Sequence, residues 1–488
     1  MKLTAAWAAL AVPHDLVHFR CRDRYLVVNP ELAAWAVLDA DGLAVLRALA
    51  GRPRQPPPDL PGVERTLAEL ALNWLIYLPG RQPTVTEPEP VLRQVYYAIT
   101  DGCNLRCPYC YASSTRRLPG ELGTEQSLDL VDQVAALGAE VVIFTGGEPM
   151  LRGDLFEVAE HARRRGLRAN MISNGTRIRD LPTARRIAEL FSEVTISLDG
   201  GTAEVHEVTR GQGTFAQTAR GLALLNEAGV APYINHVVTP GNIDYLDRLA
   251  EFVGGLRFTR VRLMSHSKIG RGAGDGVQFT FDEHLRLQRF SWVHPLASKL
   301  LTDGPRPVKP CSIRGNCGLG GNEIYVNSLG DVYPCKLITD REHKAGNLRQ
   351  SSLADLYASP VLANFRTNSV FHGENLEDCH RCYIRAGCGG GCRAYHMAGS
   401  GDVHRNSRAH CRILRHTMIS NIWRSNGFTG RDLMDHQADM TTPLLVRDDA
   451  VHPVYDDWRT EAAVPEAVPA SAVRLLPVVA TTGGGPRC

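Results

Sequence analysis

Three cysteines with close spacing are the first residues in this sequence that could do chemistry. Cys103, Cys107 and Cys110 follow an apolar segment at spacings of four and three residues. A zinc site or an ordinary ferredoxin cluster uses four protein ligands, and no fourth cysteine lies nearby. A four-iron cluster held by three thiolates leaves one iron open to a chelating ligand from outside the protein. A structural zinc site or a chance trio is the simpler alternative.

A second group of cysteines lies in the C-terminal half of the chain. It contains eight of the 13 cysteines, namely Cys311, Cys317, Cys335, Cys379, Cys382, Cys388, Cys392 and Cys411. Eight thiolates form two sets of four, which permits two iron–sulfur clusters or two zinc sites. Two cysteines remain. Cys21 is expected to be a small buried apolar residue, and Cys488 a mobile terminal thiol.

The composition excludes several classes of protein. The 488 residues suggest about three domains, and 54 basic against 52 acidic residues give a net charge of +2, which does not indicate a nucleic-acid surface. No apolar run reaches the roughly 18 residues of a membrane span. The N-terminal segment 1–12 has a weak signal-peptide pattern, and a first helix or strand is the alternative. Cysteines that bind metal as thiolates must not be oxidised, which favours a location in the reducing cytoplasm.

Elements that could position these residues begin at Arg93, where strands and helices alternate in units of about 30 residues. The pattern predicts six strands, Gln94 to Thr100, Glu140 to Thr145, Arg168 to Ser173, Glu193 to Leu198, Tyr233 to Val238 and Arg260 to Met264. Helices are predicted from Thr124, as N-cap, to Leu137 and from Thr214 to Ala228. Six units are fewer than the eight of a closed barrel. The prediction is an α/β fold with a partial (β/α)6 TIM barrel, whose chemistry lies at the strand carboxyl ends.

Two proline-rich breaks, at residues 51–61 and 82–90, enclose a small N-terminal unit. A strand over Tyr25 to Val28 and helices over Asp41 to Leu49 and Val63 to Trp74 indicate a winged-helix-like domain. The predicted domains are residues 1–90, the barrel at 91–304, a cysteine-rich domain at 305–427, and a tail at 428–488. The tail is rich in Pro and Ala and is expected to be flexible or loosely docked.

The cysteine loop resembles that of the radical S-adenosylmethionine (radical SAM) enzymes. Their signature is CxxxCxxC with an aromatic residue before the last cysteine, and Cys103, Cys107, Tyr109 and Cys110 match it. After the second strand, Gly146, Gly147 and Glu148 match the family's GGEP motif. In this interpretation the glycines let the backbone approach the ligand, and a carboxylate or carbonyl receives its ammonium group. Read alone, the motif could be a turn.

The same resemblance assigns cofactor contacts at later strand ends. It implies that Asn174, Ser197 and Asp199 contact the ribose and carboxylate of S-adenosylmethionine, and that Arg210 pairs with the methionine carboxylate. A strand-end cap or a turn residue is the alternative for each. The family's chemistry is reductive cleavage of S-adenosylmethionine to a 5'-deoxyadenosyl radical that abstracts a substrate hydrogen.

The eight-cysteine region resembles the SPASM domain, the auxiliary-cluster extension of radical SAM enzymes that modify peptides and proteins. Its last seven cysteines and Gly330 match the signature without a gap, and the barrel upstream argues against zinc. The resemblance assigns Cys311, Cys317, Cys335 and Cys392 to one [4Fe-4S] cluster, and Cys379, Cys382, Cys388 and Cys411 to a second. With Cys103, Cys107 and Cys110 this makes three clusters. Sulfatase-maturing relatives carry an aspartate base where this chain has Lys336. Sulfatase maturation is therefore a less favoured function for this chain.

Residues 15–80 resemble the PqqD-like recognition element that binds leader peptides of ribosomally made precursors. There an extended leader adds a strand to an exposed sheet edge. A helical lid without affinity for peptides is the alternative. The sequence therefore predicts a cytoplasmic radical SAM oxidoreductase that modifies a precursor peptide, with an external electron donor of flavodoxin or ferredoxin type.

The expected product is an oxidative crosslink, a thioether or a carbon–carbon bond, with the auxiliary clusters accepting the surplus electron. No residue is assigned as catalytic base. Side-chain oxidation of a protein, and decarboxylation or epimerisation of a peptide, are alternatives within enzymes. A zinc-stabilised scaffold that binds peptides without chemistry is the non-enzymatic alternative.

Overall fold

The fold is taken from a computed structural model that describes residues 2–85, 89–266, 268–274, 279–294, 297, 311–371 and 376–455. Cys488, which is expected to be mobile, and the last part of the predicted tail lie outside these residues. Across the described ranges, no helix combines the length and apolar character needed to cross a membrane.

An antiparallel sheet and two helices form the N-terminal unit. Its elements are β1 (Val17–Cys21), β2 (Arg24–Asn29), β3 (Ala34–Leu38), α1 (Ala40–Ala50) and α2 (Val63–Leu72). Asp39 caps α1 by accepting a hydrogen bond from Gly42 N at 2.8 Å. The segment with the weak signal-peptide pattern contributes a 3-10 helix, Thr4–Ala9, and Trp7 from it packs into the core of this unit. Of the three strands, only β2 was predicted.

Six parallel strands, β4 to β9, form the main sheet of the second unit. They are β4 (Gln94–Thr100), β5 (Val141–Gly146), β6 (Arg168–Ser173), β7 (Glu193–Ser197), β8 (Tyr233–Val238) and β9 (Arg260–Ser265). The helices are α3 (Thr124–Ala136), α4 (Leu155–Arg164), α5 (Leu181–Leu190), α6 (Ala203–Arg210), α7 (Thr214–Glu227), α8 (Leu246–Gly254) and α9 (Phe281–Val293). The sheet does not close on itself among the described strands, in agreement with the predicted partial barrel.

Three short strands extend the barrel sheet beyond β4. They are β10 (Glu323–Val326), parallel to β4, and the antiparallel β11 (Asp331–Tyr333) and β12 (Gly346–Asn347). Helices of the cysteine-rich region follow as α10 (Leu353–Tyr357), α11 (Pro360–Thr367), α12 (Glu377–His380), α13 (Arg385–Cys388), α14 (Arg393–Ser400) and α15 (Arg408–Ser425). This region therefore continues the barrel sheet instead of forming a separate layer.

Part of the predicted tail has regular structure, which differs from the expected flexible segment. Residues after 428 form α16 (Gly430–Asp435), α17 (Gln437–Thr441) and β13 (Leu444–Leu445). Val17 and His18 of β1 pair with β13, so the N-terminal sheet has the order β13-β1-β2-β3. Long-range strand pairing orders this segment, and local periodicity could not reveal that.

The sequence predicted the six barrel strands and the helices α3 and α7 to within about one residue. One detail differs, because Gly123 and not Thr124 is the N-cap of α3. The Thr124 hydroxyl instead donates to Asp154 Oδ2 at 2.7 Å. The prediction succeeded for these elements because a strand and its helix are encoded locally, by apolar periodicity and by glycines after the helix end.

Candidate active site

The three-cysteine loop follows β4 and folds back on itself. Cys103 N donates to Thr115 O at 3.3 Å, and the Arg106 guanidinium donates to the carbonyl oxygens of Cys103 and Thr115 at 3.0 and 2.9 Å. Cys107 is buried, whereas Cys103 and Cys110 are half-buried. The loop thus holds three thiols at the carboxyl end of the first barrel strand, close enough to interact electrostatically.

These thiols fit a metal group because the protein alone does not stabilise their thiolates. Burial raises the pKa of Cys103 to about 11, and the charges of Glu148 and of the other two cysteines add to the rise. Burial also raises the pKa of Cys107. Cys103 and Cys107 therefore stay protonated at neutral pH unless a cation holds their thiolates. An iron–sulfur cluster supplies that positive charge.

A segment after β9 covers the cysteine loop, and the sequence pattern did not predict this contact. Arg271 lies in the 3-10 helix Gly270–Ala273; its Nε donates to Cys107 O at 3.1 Å and its backbone N–H to Cys110 O at 3.0 Å. Gly270 has φ 59°, and a Cβ there would lie 2.3 Å from Tyr111 O. The sequence signal was a glycine-rich run after the last strand, which does not identify its contact.

Gly146 and Gly147 allow β5 to approach the beginning of the cysteine loop. A Cβ on Gly146 would lie 2.2 Å from Thr100 O, and one on Gly147 would lie 2.2 Å from Gly102 O. We expected these glycines to let the backbone approach a ligand. In the structure, the atoms that come close to these two positions belong to the protein backbone.

The Glu148 carboxylate connects the ends of β5 and β6. It is fully buried and accepts hydrogen bonds from Met150 N at 3.0 Å, Ser173 Oγ at 2.8 Å and Asn174 N at 2.8 Å. Burial raises the pKa of this carboxyl. Protein donors occupy both carboxylate oxygens, so Glu148 supports the loop geometry.

Asn174 and Ser197 lie at neighbouring strand ends but differ in their contacts. The Asn174 amide donates to Asn104 Oδ1 at 3.1 Å and accepts from Thr176 Oγ1 at 2.7 Å. Asn104 lies within the cysteine loop, so this network ties the loop to the end of β6. Ser197 is half-buried, and its hydroxyl makes no hydrogen bond to any residue that the structure describes. Ser197 is therefore available to a ligand.

Asp199 is a buried hub that joins the cysteine loop to α6. Its carboxylate accepts from the Tyr109 hydroxyl, from Arg210 Nε at 2.6 Å, from Thr209 Oγ1 at 3.0 Å and from Val237 N at 3.0 Å. Burial alone would raise the pKa of Asp199, but the charge and hydrogen bonds of Arg210 hold it below its usual range. We expected Asp199 and Arg210 to contact the cofactor, whereas here they pair with each other.

Two further groups of thiols lie in the cysteine-rich region. Cys392 and Cys335 lie in one apolar cluster, and each interacts electrostatically with Cys317. Cys392 therefore lies apart from Cys388, its neighbour in sequence. Cys311 is disulfide-bonded, its N–H donates to Ala33 O at 3.0 Å, and its side chain packs against the N-terminal unit. We expected Cys311 to be the fourth ligand beside Cys317, Cys335 and Cys392, and its placement differs from that expectation.

The second group combines four thiols around one small cavity, which Cys379, Cys382, Cys388 and Cys411 line. Asn406 Nδ2 donates to Cys379 Sγ at 3.2 Å, and Arg415 interacts with Cys382. Burial raises the pKa of Cys388 to about 12. Within the described ranges, no three His, Cys, Asp or Glu side chains converge closely enough to hold a single metal ion. A zinc ion would need these thiols to move together.

Comparisons with known proteins agree with this geometry. The model of the radical SAM superfamily matches residues 97–253, and that of SPASM, an iron–sulfur cluster-binding domain, matches residues 317–383. An AdoMet-dependent heme synthase of Oleidesulfovibrio alaskensis is 30% identical over 65% of this chain and 87% of its own length. The mycofactocin maturase MftC of Mycobacterium ulcerans is 32% identical over 61% and 82%. This chain belongs to the radical SAM superfamily.

Solved structures resemble this radical SAM protein in fold. Native anSMEcpe with bound AdoMet has a TM-score of 0.54 at 20% identity, with 71% of this chain and 99% of that chain covered. Streptococcus suis SuiB bound to the precursor peptide SuiA has a TM-score of 0.51 at 15% identity, with 82% and 98% covered. Identities this low show the shared fold alone.

The family membership confirms the radical SAM and SPASM predictions. The protein is a radical SAM enzyme that uses [4Fe-4S] clusters and S-adenosylmethionine, and its SPASM domain carries the auxiliary clusters. Cys103, Cys107 and Cys110 could hold the cluster that binds S-adenosylmethionine. The cavity with four thiols could hold an auxiliary cluster.

Proposed function

We propose that this enzyme modifies a ribosomally made precursor peptide by hydrogen abstraction and oxidative crosslinking. When bound, S-adenosylmethionine and its cluster supply a 5'-deoxyadenosyl radical that can take a hydrogen atom from the substrate. Formation of a thioether or carbon–carbon bond then removes two hydrogens in all: one leaves as 5'-deoxyadenosine, and the other leaves as a proton and an electron. An auxiliary cluster would supply the acceptor for that electron.

The observation that carries this proposal is the open edge of the N-terminal sheet. Among the described strands, β3 ends the sheet and pairs only with β2. An exposed edge offers unpaired backbone groups to an extended peptide, as in β-strand addition. The unit is PqqD-like in this proposal, and β3 is the strand to which the leader of the precursor adds. MftC is named a maturase, and SuiB was solved with a precursor peptide, which supports a peptide substrate.

The ligand assignments form part of the proposal. Cys103, Cys107 and Cys110 hold the catalytic cluster, and Ser197 contacts the cofactor. Cys379, Cys382, Cys388 and Cys411 hold one auxiliary cluster, and Cys317, Cys335 and Cys392 hold the other together with Cys311 once its disulfide is reduced. An acidic flavodoxin or ferredoxin is the proposed electron donor, and the reducing cytoplasm is the proposed location.

The test uses enzyme reconstituted anaerobically with iron and sulfide and the peptide encoded beside its gene. We expect about 12 irons per chain, four for each of three clusters, and peptide-dependent 5'-deoxyadenosine. Mass spectrometry should show loss of two hydrogens per crosslink. Loss of carbon dioxide would indicate decarboxylation, and an unchanged mass would indicate epimerisation; either result would contradict crosslinking. C107A is the matched control and should form no 5'-deoxyadenosine.

Hydrogen–deuterium exchange tests the binding site separately. Addition of the peptide should slow exchange of the backbone amides in β3, residues 34–38, because they gain partners. The amides of α2, residues 63–72, are the internal control and should not change. Unchanged exchange in β3 would contradict strand addition, even if the peptide is modified.

The heme synthase relative favours a second candidate function, because its sequence identity to this chain is close to that of MftC. In that case the substrate is a tetrapyrrole, and the N-terminal sheet has another role. Incubation of the reduced enzyme with iron-coproporphyrin III and S-adenosylmethionine separates the two functions. A shift of the visible absorption spectrum without peptide modification would favour the second candidate.

A further inference from the structure

An aromatic wall lines the inner face of the barrel at β4. The Tyr97 hydroxyl bonds to Ser127 Oγ of α3 at 2.8 Å, so Tyr97 faces the outer helices. Side chains alternate along a strand, so Tyr96 faces the barrel interior. There it packs in one cluster with Tyr325 of β10 and Tyr333 of β11. The interior next to β4 is therefore tyrosine-rich.

Lys336 projects into this aromatic space between the two metal-binding regions. Its Nζ lies 3.7 Å from the centroid of the Tyr96 ring. Lys336 directly follows Cys335, and it interacts electrostatically with Tyr111, which directly follows Cys110. Lys336 is half-buried. The lysine therefore lies near both the three-cysteine loop and one of the SPASM thiols.

The charge of Lys336 has no carboxylate partner within 4 Å among the described residues. Glu323 acts on it electrostatically from a greater distance, and Gln94 Nε2 donates to Glu323 Oε2 at 2.8 Å. Lys344, by contrast, forms an ion pair with Asp331 at 2.6 Å. A half-buried cation over an aromatic ring, without a carboxylate in contact, is suited to bind an anionic group.

We propose that Lys336 binds a carboxylate of the substrate and so orients the reacting residue. This inference rests on the proposed function, in which the substrate is a peptide. The carboxylate belongs to the peptide, as its C-terminus or as an Asp or Glu side chain, and the tyrosine wall contacts the apolar group beside it. The resemblance to sulfatase-maturing relatives showed only that this position lacks their aspartate base. The proposal gives the lysine at this position a role of its own.

The test compares two small probes, 3-phenylpropanoate and 3-phenylpropanamide, which differ only in charge and in one polar group. Each is titrated calorimetrically into anaerobic holoenzyme with S-adenosylmethionine. We expect the carboxylate to bind roughly 10- to 100-fold more tightly than the amide, as for a charge-assisted hydrogen bond. K336Q should reduce this ratio to about one, and K336R should retain most of it. K344Q is the matched control and should keep the wild-type ratio.

Equal affinities of the wild-type enzyme for the two probes would overturn the proposal, and so would an unchanged ratio in K336Q. If K336Q loses iron because it adjoins Cys335, the wild-type comparison still decides. Neither probe is a peptide, so an enzyme that fails to modify peptides can still show the preference. Precursor peptides with a C-terminal amide, or with Asn and Gln in place of Asp and Glu, then identify which carboxylate Lys336 binds.

Discussion

At the scale of single residues, Asp199 holds together the contacts around the three-cysteine loop. Its side chain has no exposed surface, and that of Arg210 is 10% exposed. The pair holds Tyr109, the aromatic residue next to Cys110, against α6. In the folded protein Arg210 lowers the pKa of Asp199, so this carboxylate stabilises the fold at neutral pH. The contribution is lost as the pH falls below the usual carboxyl range.

We expect D199N to lower the free energy of unfolding by about 3–5 kcal/mol, because the Arg210 charge stays buried without its partner. Anaerobic urea unfolding of the holoenzyme measures the change. D132N is the matched control. Asp132 pairs with Arg165 on the surface, where their side chains are 37% and 51% exposed, and its loss should cost at most about 1 kcal/mol. Equal effects of the two substitutions would contradict the role of Asp199 as a buried hub.

Gly147 provides a second prediction at this scale. G147A should displace the cysteine loop, because the new Cβ would lie 2.2 Å from Gly102 O. The catalytic cluster should then be lost while the auxiliary clusters remain, which iron analysis would show as a loss of about four irons per chain. G153A is the control, since a Cβ at Gly153 meets no atom within 4 Å. Full iron content in G147A would refute this explanation of the GGEP glycines.

At the scale of elements, β13 attaches the C-terminal segment to the N-terminal unit. Val446, next to β13, is 2% exposed and packs in the core of the N-terminal unit with Leu16 and Leu46. This contact joins residues that are about 400 positions apart. The N-terminal unit is therefore completed by the segment that the sequence suggested was a tail.

We expect V446Q to destabilise the N-terminal sheet by about 1–3 kcal/mol, because it buries an amide in an apolar core. Faster hydrogen exchange of the β1 amides should report the change. L72Q is the control, since Leu72 is 79% exposed and its replacement should cost no more than about 0.5 kcal/mol. Unchanged exchange of β1 in V446Q would show that β13 is dispensable.

At the scale of the whole molecule, the N-terminal unit and the SPASM region share one apolar core. Phe19 and Trp35 of the sheet pack in the same cluster as Cys382, Tyr383 and Trp423. The Phe19 and Tyr383 rings lie 5.8 Å apart. Arg385 of α13 adds ion pairs at 3.6 and 3.7 Å to Asp15 and Glu31. The proposed peptide-binding sheet is thus packed directly against a cysteine cluster.

Removal of the clusters should therefore loosen the N-terminal sheet as well as the SPASM region. After treatment with ferricyanide and EDTA, we expect faster hydrogen exchange in β1, β2 and β3 together with residues 376–392, because metal ligation orders the shared core. Helix α5 of the barrel, residues 181–190, serves as the internal reference. If the sheet keeps its exchange rates while residues 376–392 lose protection, the two regions are independent.

The sequence by itself determined the barrel strands and the three-cysteine loop, whereas the two later cysteine groups rested on the resemblance to the SPASM signature. These features are local, because a strand or a ligand loop is encoded by spacing within about ten residues. The roles of Arg271 and Asn104 were not predicted, because their contacts with the cysteine loop and with the end of β6 are not local and leave no periodic pattern in the sequence.

Only the tertiary structure decided which distant residues meet. Tyr109 and Asp199 are 90 residues apart, yet they form the hub of the site. Packing also completed the N-terminal sheet with β13 and placed Lys336 over Tyr96. These pairs depend on burial and charge pairing in the folded chain, which spacing along a single sequence does not contain.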